Sequence, residues 1–234
     1  MNYDLLTGVK WYLVFLFSTT FHEAAHAWSA LKLGDDTAHR GGQVTLDPTP
    51  HIRRAPFGMV IVPIVSYLMG GWMIGWASAP YDPRWAIANP KRSALMSLAG
   101  PAANLILVII AAILIRAGIA FHFFESPESI SFTNVVDATA SSGMFFPTIL
   151  SITFSLNLLL CAFNLLPLPP LDGSGALLIF TNSETAEKIL TAFSHPQLRF
   201  FGLFLAWKGF DYVFPSIHNF AINLLYLGVE HYSL

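Results

Sequence analysis

Charge is what this sequence has least of. Asp, Glu, Lys and Arg together make up 11% of its 234 residues, where a soluble domain carries about 25%. So little charge cannot hold 54% hydrophobic residues and a mean hydropathy of +0.57 in water, which excludes a soluble enzyme. Intrinsic disorder is excluded by the same composition, since phenylalanine alone occurs 20 times. The net charge is only −2 and no run of Lys and Arg is present, so the electrostatic footprint of a nucleic-acid binder is missing. A single cysteine, Cys161, rules out an intramolecular disulfide and leaves the redox compartment undetermined. There is no internal repeat and no low-complexity tract. The N-terminus, MNYDLLTGVK, has no basic region followed by a small-residue cleavage site, so it reads as retained and not as a signal peptide. What remains is a polytopic membrane protein.

A membrane-crossing helix needs about 20 mostly apolar residues. Candidates run from Trp11 to Leu33, Pro56 to Ala77, Ser93 to Arg116, and Phe145 to Leu166, the last stopped by Pro167, Pro169 and Pro170. After Asp172 the chain is mixed, with an amphipathic piece from Thr185 to Phe193. Two further apolar pieces span Leu198 to Phe214 and Ile217 to Val229. The expected architecture is an all-α bundle of about five to six transmembrane helices, with one short cytoplasmic β-hairpin. It forms a single domain over 1–234, with its core in 9–180 and C-terminal helices in 181–234.

The distribution of Lys and Arg sets the expected orientation. The connection from Ala117 to Phe145 has neither, against Glu125, Glu128 and Asp137, and should lie outside. Lys32, Arg40, Arg53 and Arg54 mark one cytoplasmic segment, and Arg84, Lys91 and Arg92 mark another. The apolar stretch between them would then enter and leave on one side. It either dips in and returns as a re-entrant hairpin bent at Gly70-Gly71, which is preferred, or crosses fully and puts one basic loop outside.

The first apolar helix contains FHEAAHAW. Residues four apart stand on one face of a helix, so His22 and His26 can both reach one zinc ion, with Glu23 placed to take a proton from water. Histidine and glutamate in an apolar helix can also form a satisfied polar cluster or an ion path. Three ionisable groups in little more than one turn of membrane helix nevertheless demand a function, and this spacing favours metal binding. A catalytic zinc site takes a third protein ligand and leaves a fourth position for water. Asp172, in NLLPLPPLDGSG, is the candidate, because the prolines break helical geometry and Asp-Gly can turn a carboxylate back towards the bundle. Without the histidine helix the same motif would be only a helix stop and a turn.

These segments together resemble the site-2 protease family of intramembrane zinc metalloproteases, peptidase family M50, in its short bacterial and archaeal form. FHEAAHAW is similar to the family's HExxH helix, and LGDDTAHRGGQVTLDPTPHI to the stretch that follows it. GWASAPYDP, SLAGPAANL and NLLPLPPLDG resemble the later motifs in order, over about three quarters of the chain. The resemblance implies His22, His26 and Asp172 as ligands of one Zn²⁺ and Glu23 as the catalytic base. It implies an endopeptidase acting on a transmembrane or signal-peptide-like protein within the lipid bilayer of the plasma membrane, its active site facing the cytoplasmic side. Four positions depart from the family's pattern: Ser78 and Ala79 in place of Lys and Pro, Gly175 in place of Arg, and Arg53 in place of Asp. None touches a ligand or the base, so substrate positioning is what they affect.

Asn164, near the end of the fourth apolar segment, is the candidate oxyanion donor, although an interhelical hydrogen bond would use it equally well. Asn157 reads as structural. Asn104, about one turn after Gly100 and Pro101, reads first as a packing residue and second as orienting the site. A substrate helix must unwind before it is cut, and its freed backbone needs partners. GGQVTL, Gly41 to Leu46, alternates enough to be an edge strand offering them, with a plain hairpin as the alternative. His39, His51, His122, His195, His218 and His231 read as surface or interfacial, and Trp72, Trp76, Tyr81 and Trp85 as a membrane-water belt. A non-proteolytic metal-binding transporter or scaffold is the competing function. A transporter would favour repeats, and an idle relative would lack Glu23 or a ligand.

Overall fold

The computed structural model describes residues 4–140 and 143–227; His231 lies outside them. Helix α1, Leu5–Leu33, begins upstream of the expected Trp11 because Asp4 caps it, its carboxylate accepting the N–H groups of Leu6 and Thr7. It ends at Gly34, whose φ of 107° is the left-handed conformation that closes helices. Trp11, Phe15, Ser18, His22 and His26 lie along its buried stripe. That stripe packs on α6, Pro90–Ala120, and α7, Phe145–Asn164, which also pack on each other. Trp11, Val14 and Phe15 meet Ile152 and Leu156 of α7 in one apolar cluster.

Among the described residues, α6 and α7 are long and apolar enough to cross a membrane. A bent pair in residues 48–70 raises the number to at most three on the same criterion, against the five to six of the sequence reading. Helix α1 is long enough but carries Lys10, His22, Glu23, His26 and Lys32, and the last helix is similarly loaded, so composition keeps both outside that count.

After α1 come α2, Thr37–Arg40, and α3, Pro48–Arg54. The stretch Gly41 to Leu46 between them is not a strand. Gly41, Gly42 and Gln43 donate their N–H groups back to Thr37, His39 and Ala38, winding the chain off the end of α2. Four alternating residues next to two glycines are too few to impose a strand once those local bonds form. A π-turn, Phe57–Ile61, then runs into α4, Val62–Gly70, at 113° to α3. Gly71 (φ 76°) ends α4, and the chain returns without helix or strand. Trp76 N–H reaches Gly58 O at 3.1 Å, and Ser78 O accepts Gln43 Nε2 at 3.4 Å. Pro56 to Ala77 therefore doubles back on itself. The two basic segments are joined at one end of the molecule: Asp35 accepts Asp82 N–H, and Arg92 donates to Leu33 O. Burial works against the Asp35 charge, but hydrogen bonds from Thr37 and Asp82 outweigh it and hold this carboxyl below its ordinary value.

Helix α5, Pro83–Ala88, leads into α6. At the far end of α6 the connection carries a two-residue antiparallel pair, β1 (Phe124–Glu125) with β2 (Asp137–Ala138). This small sheet stands in the acidic connection and not in the basic segment where a hairpin was expected. Val135 and Val136 from the same connection are fully buried, both donating N–H to Ser151 Oγ on α7.

After α7, turns from Leu165 through the cis Pro169-Pro170 bond lead to α8, Asp172–Ala176, a 3₁₀ turn, Leu177–Phe180, and α9, Ser183–Ser194. The last two apolar pieces are one helix, α10, Pro196–Leu225, which continues through Pro215. A proline removes one backbone donor, but Phe210, Phe214, His218, Ile222 and Leu225 keep one buried stripe across it.

Candidate metal centre

His22 and His26 stand one turn apart on α1, and Asp172 at the start of α8 is brought against them. The three offer ligand atoms within 4.8 Å of one another, as a metal ion would need. Nε2 of His22 and Nε2 of His26 are 3.0 Å apart, and Asp172 Oδ2 is 3.1 and 3.3 Å from them. Zinc–ligand bonds of about 2.0–2.1 Å in a tetrahedron put neighbouring ligand atoms about 3.3–3.4 Å apart. The triangle is therefore close to zinc size.

The opposite ring nitrogens show why these atoms face inward with lone pairs. His26 Nδ1 lies 2.7 Å from the backbone oxygen of Met96, and His22 Nδ1 lies 2.6 Å from Asn104 Oδ1. Both oxygens accept, so both Nδ1 atoms donate, and in the neutral rings both Nε2 atoms are bare. Asp172 Oδ2 is buried with no hydrogen-bond donor. Three electron-rich atoms thus converge with no proton among them, which a cation corrects. The donor set, two imidazoles and one carboxylate, is one that catalytic zinc uses.

Two close approaches shape the centre. Gly100 of α6 lies directly against the histidines, and a Cβ there would overlap Nε2 of both. Gly175 of α8 is packed on Ser97 Oγ of α6, with no room for the arginine that the family's pattern suggests. Gly100→Ala is therefore expected to displace both rings. Overpacking costs about 1–3 kcal/mol, so zinc affinity should fall by about tenfold or more while the helical fold is retained. Zinc titration of the purified variant, with circular dichroism as control, checks this. An unchanged affinity would mean that the rings tolerate the methyl group.

Glu23 is 6% exposed and has no hydrogen-bond partner among the described residues. A buried carboxylate without a partner is unstable unless something at the site employs it. Asn164 Nδ2 donates to Leu160 O on its own helix at 3.0 Å. Asn104, whose second reading was to orient the site, and Asn157, read as structural, are both linked to the centre. Both are fully buried, joined by a 2.8 Å hydrogen bond, and Asn104 holds His22. The signal available in the sequence was their setting, since an asparagine in an apolar helix has to find a partner. His51 and His218, read as surface and interfacial, are buried. His218 pairs with Ser155 Oγ at 3.1 Å, away from the centre.

The model of peptidase family M50 matches residues 11–208. A Bacillus subtilis protein named "Putative zinc metalloprotease YwhC" is 34% identical over 216 residues, covering 92% of this chain and 89% of its own length. A Mycobacterium tuberculosis protein named in the same words, Rip2, is 30% identical over 221 residues, covering 92% of this chain and 73% of its own length. No solved structure matches the chain.

Proposed function

The chain belongs to peptidase family M50, and from that premise we propose that it is a zinc metalloendopeptidase that cleaves peptide bonds of membrane-embedded or juxtamembrane proteins. The observation that carries the reading is the convergence of His22, His26 and Asp172, with Glu23 next in sequence to His22, buried and without a hydrogen-bond partner among the described residues. In this reading His22, His26 and Asp172 hold one zinc ion, and Glu23 is the base. A bound zinc ion supplies Lewis-acid polarisation of the attacking water and of the scissile carbonyl. Glu23 takes the proton from that water and returns it to the departing amine nitrogen. Asn164 serves as oxyanion donor once its Nδ2 leaves Leu160 O; its place at the end of α7, shortly before Asp172, supports the role.

His22 lies about 26 Å from the start of α1 and about 17 Å from its end, at 1.5 Å per residue. That depth supports an active site inside the bilayer, and the basic residues gathered at the end of α1 support a cytoplasmic-side position in the plasma membrane. In the same reading α1 and α10 cross the membrane with their polar groups turned inward, and residues 56–77 form a re-entrant segment. The return through GWASAP lines the path of an unwound substrate, which is a transmembrane or signal-peptide-like protein. The whole chain acts as one domain.

Two experiments test this. Purified full-length protein in liposomes, loaded with zinc, should cut a single-span substrate within or next to its apolar segment. Cleavage of soluble unfolded peptides alone would overturn the intramembrane reading. Single cysteines at Thr45 and Ser78, in a Cys161→Ser background, should both react with an impermeant thiol reagent from the cytoplasmic side. Reaction from opposite sides would make 56–77 a full crossing and remove its role at the substrate path.

A further inference from the structure

Metal-facing histidines work only in one tautomer, and for His26 a backbone carbonyl decides it. Met96 O can only accept, so His26 Nδ1 must donate. His22 has no such partner. It faces the side-chain amide of Asn104, and an amide turned over would present its NH₂ group to Nδ1, driving the ring proton onto Nε2. Something must decide which way Asn104 faces.

We infer that Asn157 is a positioning residue that sets the tautomer of His22 through Asn104. The hydrogen bonds leave one consistent assignment, starting from an atom that cannot donate. Asn157 Nδ2 lies 2.8 Å from the backbone oxygen of Thr153, one turn back on α7, so this end of the amide is the NH₂ group. The same Nδ2 reaches Ser18 Oγ on α1 at 2.9 Å. Oδ1 of Asn157 is thereby turned towards Asn104 and accepts its Nδ2 at 2.8 Å. Asn104 can then offer His22 only its oxygen, 2.6 Å from Nδ1. Turning Asn104 over would set two amide oxygens against each other and an NH₂ group against Nδ1–H. Ser18, Asn104 and Asn157 are all 0% exposed, so water does not replace any link. Ser18 is one turn before His22, so the relay leaves α1, passes through α6 and α7, and returns to α1.

The inference rests on the proposed metal centre, but its first test contains no metal. In the metal-free full chain labelled with ¹⁵N-histidine, the His22 signals, identified by their loss in His22→Ala, should show Nδ1 protonated. A proton on Nε2 in the wild-type chain overturns the relay. In Asn157→Leu the signals should become a mixture of tautomers, and an unmixed Nδ1–H form there overturns it equally. The second test is a double-mutant cycle on zinc affinity, measured by chelator competition. Partners of metal-bound histidines typically contribute 10–100-fold to affinity, and Asn157→Leu should lose about tenfold. In an Asn104→Asp background the same change should lose nothing, because a carboxylate accepts from Nδ1–H whichever way it faces. Equal loss in both backgrounds would make Asn157 a packing residue only. If instead His22→Ala leaves zinc affinity unchanged, it is the metal centre that falls, and the tautomer measurement still decides the relay.

Discussion

Glu23→Gln should bind zinc as tightly as the wild-type chain and cleave its substrate about 10²–10⁴-fold more slowly, the range a positioned general base supplies. Glutamine keeps the size and shape of the side chain, so packing around a position that is only 6% exposed is undisturbed. What is lost is the ability to take up a proton. His22, His26 and Asp172 supply the metal-binding atoms without it, which is why affinity and rate should separate. The loss should fall on kcat with KM unchanged, since the proton moves only as the bond to carbon forms. Zinc content of the purified protein and single-turnover cleavage of a membrane substrate measure the two quantities. A rate within tenfold of wild type would remove Glu23 from the chemistry. Because substrate still binds, Glu23→Gln should also retain uncut substrate in membranes and so identify it by co-purification.

The part of this site that the sequence disclosed is the part held by one helix. His22, Glu23 and His26 fall within two turns of α1, where geometry follows from spacing alone. Asp172 was legible because a proline run before Asp-Gly has few conformations open to it. Asn104 was legible only as a packing residue with orientation of the site as its second reading, since its bond to His22 joins residues 82 apart in sequence and spacing says nothing about a contact between two helices. The segment from Gly41 to Leu46 was misread for a related reason. Alternation over so few residues carries little information, and backbone bonds to α2 decided the conformation. In the C-terminal region the prediction split at Pro215, whereas one buried stripe carries α10 across it. Charge alone suggested a re-entrant hairpin bent near Gly70-Gly71, because both flanking segments are basic; the bond from Trp76 to Gly58 gives the local geometry of the return.

That contrast between local and long-range contacts bears on the ligand that comes from furthest away. Asp172→Ala should reduce zinc affinity at least as much as His22→Ala or His26→Ala. Four-ligand zinc sites bind with about 10–16 kcal/mol, or about 3–4 kcal/mol for each ligand, which corresponds to about 10²–10³-fold. Asp172 is the only anion among the three converging groups. Without it, a doubly charged ion would face two neutral imidazoles inside an apolar bundle. Charge uncompensated in low dielectric is far more unfavourable than the same charge in water, so the aspartate contributes by neutralisation as well as by ligation. Asp172→Asn separates the two contributions. It keeps an oxygen at the same reach from His22 and His26, now 3.1 and 3.3 Å away, but removes the charge, and its affinity should fall between those of wild type and Asp172→Ala. Zinc titration against a chelator, on full-length protein in one detergent, ranks all four variants. Equal affinity in wild type and Asp172→Ala would take Asp172 out of the centre and leave the two histidines to find a third ligand elsewhere. An Asp172→Asn value no better than Asp172→Ala would show that neutralisation, and not the oxygen's position, is what Asp172 contributes.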